Sequence, residues 1–413
     1  MICNLLRKLF FKYKKLQISE EKVYLRFIVL SDTHITPSKV IEQKRLKNVL
    51  KTCYHLAKSI DAVVIVGDLT DSGKEEEYKT VKSIIDKHVK DNTKFVACMG
   101  NHEYNTRDLF TSIMSQNSRD NIKIGGYHFI TLSPRESDTE YGGSRYYLDK
   151  EWLKAQLEEA VEEDEKKPIF VFMHHGIKDT VFGTDEWNTE DLYDILKDYP
   201  QVVHFSGHSH YPLNNPKSIY QKDFTAINTC TISYFDFPSD IEKNIDYTLI
   251  NNVCQALLVE VKGEDIRIRK LDLISNNYIG EDWTINTSEG IYGYKYTEDR
   301  AEKSKQPYFE SNDKVTIECI GKNSCILKIN TAKVRSGKDI IEYYKVDFKN
   351  LETGEIEKSY KIWSQYAFIP EMKRIKSKFK NLKEDTEYEV LVTAFNAYGK
   401  SSINALQAKF KTK

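Results

Sequence analysis

Residues 24–34 read YLRFIVLSDTH, an apolar, strand-like run (Tyr24–Leu30) that leads directly into Ser31, Asp32, Thr33 and His34. The same arrangement recurs down the chain. Ala62–Val66 (AVVIV) leads into Gly67-Asp68-Leu69-Thr70-Asp71, and Phe95–Met99 (FVACM) into Gly100-Asn101-His102-Glu103. Ile169–Met173 (IFVFM) precedes His174-His175, and Val202–Phe205 precedes Ser206-Gly207-His208-Ser209-His210. Short runs rich in β-branched and aromatic residues predict strands buried on both faces. Between them, Ser38–Ser59, Lys74–Lys90, Lys150–Glu163 and Thr189–Asp198 carry helical patterning. In Lys150–Glu163, Trp152, Leu153, Leu157, Ala160 and Val161 face one side against acidic residues, and Asp149 is a candidate N-cap. Alternating strands and helices predict an α/β domain. Ligand-type residues then gather at strand carboxyl ends, where such sheets converge their loops. Of the 10 histidines, His34, His102, His174, His175, His208 and His210 all lie in these blocks, which core packing does not explain.

The 413-residue length predicts more than one domain. Charge is balanced, with 61 Lys+Arg against 62 Asp+Glu, so no global positive field favours nucleic acid. The 7 cysteines are irregularly spaced without a CxxC pair, which points to reduced thiols and a cytoplasmic setting. No apolar run is long enough to span a bilayer. In residues 1–16, MICNLLRKLFFKYKKL, an apolar helical face opposes Arg7, Lys8, Lys12, Lys14 and Lys15. Two readings stay open: peripheral membrane contact, or a helix packed on its own domain.

From about Ile219 helical patterning disappears. Ala256–Val261 and Asp265–Leu273 predict a second sheet closing the first domain, taken as residues 21–274 after an N-terminal segment 1–20. Residues 275–306 are polar and weakly patterned, an excursion plus linker ending before Pro307. Residues 307–413 read as all-β, with strands at Cys325–Ile329, Ile341–Phe348, Ser359–Trp363, Tyr388–Phe395 and Ala405–Phe410. Leu382, Thr386, Tyr388, Val390, Val392, Ala394, Asn396, Gly399 and Ser401 resemble the end of a fibronectin type III domain, an immunoglobulin-like sandwich in which a tyrosine anchors the corner of strand F.

Together the blocks D-x-H (Asp32, His34), G-D-x-x-D (Asp68, Asp71), G-N-H (Asn101, His102), H-H (His174, His175) and G-H-x-H (His208, His210) resemble the calcineurin-like metallophosphoesterase superfamily. The resemblance covers about Phe27–Tyr211 and implies a four-layer αββα sandwich with a dinuclear metal centre. By that resemblance Asp32, His34 and His210 hold one ion, Asn101, His174 and His208 a second, and Asp68 bridges them. The chemistry coheres: one carboxylate can bridge two cations, and imidazoles complete the shells without added charge. The cations acidify a shared water, giving a bridging hydroxide as nucleophile, and grip the phosphate. Mn, Fe or Zn suits such a donor set. His102 is expected to contact phosphate and protonate the leaving oxygen. Asp71 either orients His102, as in the protein-phosphatase branch, or caps the helix after it. His175 is expected in a supporting or substrate-facing position, His204 in the core, and Glu103 as a structural carboxylate.

Protein phosphatases of this superfamily carry Arg after the second Asp, whereas Asp71 is followed here by Ser72-Gly73. The SDTH and MHH blocks and the Trp152–Leu157 helix look closer to bacterial phosphodiesterases. The expected partner is therefore a small phosphodiester, such as a cyclic nucleotide or glycerophosphodiester. Two alternatives are a phosphomonoesterase or protein phosphatase, and a binding protein whose C-terminal sandwich takes a protein or glycan.

Overall fold

The computed structural model describes residues 24–57, 59–135, 146, 149–186, 188–189, 192–241 and 250–413. The basic segment 1–16 lies outside them. Among the described residues no helix is long and apolar enough to cross a membrane.

Two sheets face each other. The first runs Asn277–Tyr278, Asp265–Asp272, Gln255–Lys262, Leu25–Leu30, Ala62–Val66, Lys94–Cys98, with Trp283–Asn286 also paired to Asp265–Asp272. The second runs Ile219–Gln221, Thr225–Asn228, Val202–Ser206, Ile169–Met173, Tyr127–Leu132, Arg119–Ile124. In the first, Leu25–Leu30, Ala62–Val66 and Lys94–Cys98 are parallel neighbours. In the second, Ile169–Met173 runs parallel to both Tyr127–Leu132 and Val202–Ser206.

The apolar runs are continuous because both strand faces are covered. Along Leu25–Leu30, Phe27 and Val29 point between the sheets, while Ile28 and Leu30 meet the helices. Phe27 sits edge-on to Phe129 and Phe170, each at 4.9 Å between ring centres. Its removal is expected to cost about 3–5 kcal/mol. Helices Val40–Leu56, Glu75–His88 and Arg107–Met114 cover the outside of the first sheet. Lys150–Glu163 and Tyr193–Leu196 cover the second. The layer order is therefore helices, sheet, sheet, helices.

Several sequence expectations change. Gln255–Lys262 and Asp265–Asp272 do not build the second sheet: they extend the first, antiparallel beside Leu25–Leu30. Strand alternation cannot say which edge a hairpin joins, because that depends on distant partners. The helix expected over Thr189–Asp198 shrinks to Tyr193–Leu196, preceded by a two-residue strand. Helix Arg107–Met114 and the Arg119–Ile124/Tyr127–Leu132 hairpin were not expected. Asp149 stands at the N-cap position as expected, but its carboxylate makes no capping hydrogen bond and takes Arg119 and Arg135 instead. Part of the polar stretch 275–306 belongs to the first sheet, as the two strands paired with Asp265–Asp272.

Beyond Pro307 a three-stranded sheet (Val315–Ile320, Cys325–Asn330, Arg374–Phe379) faces a four-stranded one (Ile356–Trp363, Ile341–Asn350, Glu387–Asn396, Leu406–Lys411). All pairings are antiparallel, and Leu327, Tyr344, Phe348, Tyr388 and Val390 fill the space between. The described cysteines are unpaired, including Cys319 and Cys325 on neighbouring strands.

Candidate metal centre

Parallel direction brings five strand carboxyl ends to one end of the two sheets. Asp32 and His34 follow Leu25–Leu30, Asp68 follows Ala62–Val66, and Asn101 and His102 follow Lys94–Cys98. His174 follows Ile169–Met173, and His208 and His210 follow Val202–Ser206. The backbone pays conformationally to aim them. Asp32 (φ 52°), His34 (44°), Asp68 (48°), His208 (68°) and His210 (56°) all adopt the left-handed region. That region is unfavourable for most non-glycine residues, and it clusters at functional sites.

Two groups of donor atoms result, Asp32–His34–Asp68–His210 and Asp68–His174–His208, with Asp68 in both. His34 Nε2 lies 3.2 Å from His210 Nε2, and His210 Nε2 lies 3.0 Å from Asp32 Oδ1. His174 Nε2 lies 3.2 Å from Asp68 Oδ2 and 3.1 Å from Asn101 Oδ1. Donors bound to one cation at about 2.0–2.2 Å stand roughly 3–3.5 Å apart, so these separations fit a shared ion. Asp32, His34, Asp68, His174 and His210 are buried. A further group of donors, His34, Asp71 and His102, lies at the outer side.

The imidazoles are held from behind. His174 Nδ1 donates to the Val66 carbonyl and His210 Nδ1 to the Tyr234 carbonyl, each at 2.9 Å. A carbonyl can only accept, so both Nδ1 atoms carry the proton and Nε2 is left for a ligand. Asp32 Oδ1 and Oδ2 accept from the His208 amide at 3.2 Å, and Ser31 Oγ donates to Asp32 Oδ2. Glu103 accepts from the Thr70 amide and hydroxyl, both at 2.7 Å, and from the Gly100 amide at 2.8 Å. It therefore clamps the G-D loop to the G-N-H loop, the structural task expected of it.

The three glycines do different work. Gly67 has φ 77° and turns the chain. Gly100 and Gly207 do not have positive φ; they are small because Asp68 and Asp32, respectively, press against them, and a Cβ would overlap those carboxylates. The left-handed conformation that favours glycine is needed only at Gly67.

Burial opposes ionisation of Asp32, yet His210 and His174 hold its carboxyl below the usual range. Burial likewise opposes Asp68, and His174 leads the groups that hold it well below. Burial would lower His174, but Asp68 and Asp32 raise it to about 9. Burial, helped by His174, pushes His208 down to about 3. A cation would have to displace the proton of His174 and would find His208 already neutral.

His102 stands at the rim with 34% of its side chain exposed and Nε2 3.8 Å from Asp68 Oδ2. Its Nδ1 donates to the Asp71 main-chain carbonyl at 2.6 Å. The Asp71 carboxylate turns elsewhere, 2.7 Å from Lys39 Nζ and 3.5 Å from His34 Nδ1. Asp71 thus meets His102 through its backbone, and it does not cap Glu75–His88, whose N-cap is Lys74. His175 is only 2% exposed; Tyr146 Oη lies 2.9 Å from its Nδ1, and its ring lies 4.4 Å from that of His208. Burial at that level suits support of His208 better than contact with substrate. His204 is in the core as expected, with neither ring nitrogen hydrogen-bonded among the described residues.

Tyr146 and Tyr234 were not singled out from the sequence. Tyr234 lies 4.3 Å, ring centre to ring centre, from His210 and 5.5 Å from His34. Its segment follows Thr225–Asn228, which runs parallel to Val202–Ser206 and ends on the same side. That is the strand-then-loop signal of the other blocks, without their Asp or His. Arg45 secures the approach by donating to the carbonyls of Ile232, Ser233 and Asn251.

A two-sheet α/β fold gathers buried Asp and His donors at its strand ends in groups that could hold a metal ion. Residues 25–212 match the calcineurin-like phosphoesterase family. The chain thus carries a calcineurin-like metallophosphoesterase domain and is a phosphoester hydrolase. It is 28% identical over 208 residues to a probable glycerophosphodiester phosphodiesterase of Arcobacter nitrofigilis, covering 44% of this chain and 71% of that one. It is 27% identical over 252 residues to a probable cyclic nucleotide phosphodiesterase of Rhodococcus erythropolis, covering 57% and 73%. Among solved structures, a purple acid phosphatase from yellow lupin seeds aligns at TM-score 0.46 and 11% identity, covering 63% of this chain and 53% of that one.

Proposed function

We propose that this chain hydrolyses small phosphodiesters, of the cyclic-nucleotide or glycerophosphodiester class, at a centre of two cations. The chief support is the pair of buried donor groups that meet at Asp68. The names of the two relatives above, a glycerophosphodiester and a cyclic nucleotide phosphodiesterase, support this substrate class. Asp32, His34 and His210 would hold one ion, Asn101, His174 and His208 the other, with Asp68 common to both. Mn, Fe or Zn matches this mix of imidazole, carboxylate and amide oxygen. Such ions supply Lewis acidity, activating water and neutralising phosphate charge.

The remaining work falls to the chain. His102 is half-buried at the rim, and its Nδ1–H is committed to the Asp71 carbonyl, so Nε2 is the atom that can face a phosphate. When protonated there, it can bind the phosphate oxygen and pass its proton to the departing alcohol. Asp71 serves as a positioning residue through its carbonyl, while its carboxylate holds Lys39 beside the entrance. Tyr146 and His175 brace His208, and Val66 and Tyr234 fix the rings of His174 and His210.

Residues 307–413 are read as a fibronectin type III-like sandwich. Its three- and four-stranded sheets support this, as does Tyr388 Oη, which accepts from the Lys383 amide at 3.1 Å just upstream. The catalytic unit is taken as residues 21–274 together with strands Asn277–Tyr278 and Trp283–Asn286, which pair into its first sheet, and the rest of 275–306 leads across.

A substrate panel on metal-reconstituted protein tests the reading. Bis-p-nitrophenyl phosphate, cyclic nucleotides and glycerophosphodiesters should give higher kcat/KM than p-nitrophenyl phosphate, and chelation should remove the activity. Faster turnover of monoesters would overturn the diesterase assignment.

A further inference from the structure

The C-terminal sandwich packs on the domain that carries the donor cluster through an aromatic cluster flanked by ion pairs. Trp363, at the end of strand Ile356–Trp363, is 2% exposed and belongs to the core between the two catalytic sheets, not to the sandwich core. Its ring centre lies 5.0 Å from that of Phe237 and 6.2 Å from that of Phe235. Phe368 closes the cluster, 5.5 Å from Trp363 and 6.4 Å from Phe235. Lys361–Asp240 at 2.6 Å and Lys217–Glu342 at 3.3 Å flank it.

The segment gripped in this way also holds a candidate ligand. Phe235 and Phe237 are buried, whereas Tyr234 and Asp236, alternating with them, serve His210. The Tyr234 carbonyl receives His210 Nδ1 at 2.9 Å, and the Asp236 amide donates to the His210 carbonyl at 3.3 Å. The Tyr234 ring lies against the imidazole as well. One side of the segment faces the sandwich and the other orients His210, so a shift on the first side moves the second.

We propose that Trp363 is a positioning residue for the metal centre: by packing on Phe235 and Phe237, the sandwich holds the carbonyl that orients His210. The proposal rests on the metal-site reading above. It gives the C-terminal domain a task within the chain, which needs no external partner. Loss of groups that orient metal-bound histidines weakens metal affinity by about 10–100-fold, and an effect near the lower end is expected here.

The test is Mn²⁺ titration of the full-length chain by calorimetry. Trp363→Ala should weaken one of two binding phases about tenfold and leave the other in place. Trp363→Phe should recover most of that loss. Phe237→Leu, a milder cut on the other side of the contact, should weaken the same phase by less. In a His210→Ala background, Trp363→Ala should add no further loss. Leu327→Ala, inside the sandwich core, should lower Tm without shifting either phase. A Trp363→Ala titration superimposed on the wild type would overturn the proposal alone. So would an equal loss in Leu327→Ala, since general destabilisation would then explain it. Failure of the wild-type chain to take up Mn²⁺ would overturn the metal-site reading beneath it.

Discussion

The donor loops and the C-terminal sandwich place left-handed backbone in opposite ways. In the sandwich, the non-glycine residues with positive φ are Gln365, Asn381 and Asp385, which lie between strands. Asn and Asp tolerate that conformation because their short polar side chains can bond locally. Around the donor cluster the residues are Asp32, His34, Asp68, His208 and His210. Three of these are histidines, and the five residues gather their donor atoms toward one another. The sandwich turns its chain where turning is easy. At its three histidines the catalytic half accepts strain of about 1–3 kcal/mol each, where the donor set needs a particular direction.

Four experiments break or sharpen that contrast. The largest effect is expected from Asp68→Ala, because both donor groups lose their common carboxylate. Hydrolysis of bis-p-nitrophenyl phosphate should fall to background; a variant retaining wild-type kcat would end the shared-carboxylate mechanism.

Glycine substitutions compare the regions directly. Gly100→Ala would drive a methyl group into Asp68, whereas at Gly399 (φ 74°) nothing lies within 4 Å. Gly100→Ala should lose metal, as read by elemental analysis. Gly399→Ala should cost only about 1–2 kcal/mol of stability and keep full activity. Equal behaviour of the two would mean that crowding at Asp68 is unimportant.

His102→Ala should slow turnover by about 10²–10⁴-fold without loss of bound metal. Coincident loss of metal would move His102 into the ligand set.

The smallest effect concerns acid stability. Burial alone pushes His204 down to about 3. Above its ordinary value of about 6.5 it is neutral in both folded and unfolded chains. Below that value the unfolded chain takes up a proton that the folded chain refuses, so stability falls as pH drops toward 3. Near pH 5 this amounts to about 2 kcal/mol, and His204→Leu should recover it in a urea melt while changing less near pH 8. Identical pH dependence in the two proteins would show that His204 does not carry the acid limb.

Much of the donor region was legible in the sequence, because each block is local: an apolar run, then Asp, Asn or His, with a glycine or serine between them in four of the five. Ala62–Val66, Ile169–Met173 and helix Lys150–Glu163 fall on the residues that periodicity predicts. Arg107–Met114 was less readable because it spans only 8 residues, and Arg119–Ile124 because Ile122 and Ile124 are its only apolar residues. The Asp71 contact with His102 runs through a main-chain carbonyl, which no residue type reveals.

By itself, then, the sequence determined which side chains lie at strand ends, since that follows from backbone period and burial along a few residues. Only the tertiary structure decided which sheet received Gln255–Asp272, that Val66 and Tyr234 carbonyls orient histidines far away in the chain, and that Trp363 packs on Phe235 and Phe237. Each is a contact between distant segments, chosen by how whole surfaces fit together, and no local pattern encodes that choice.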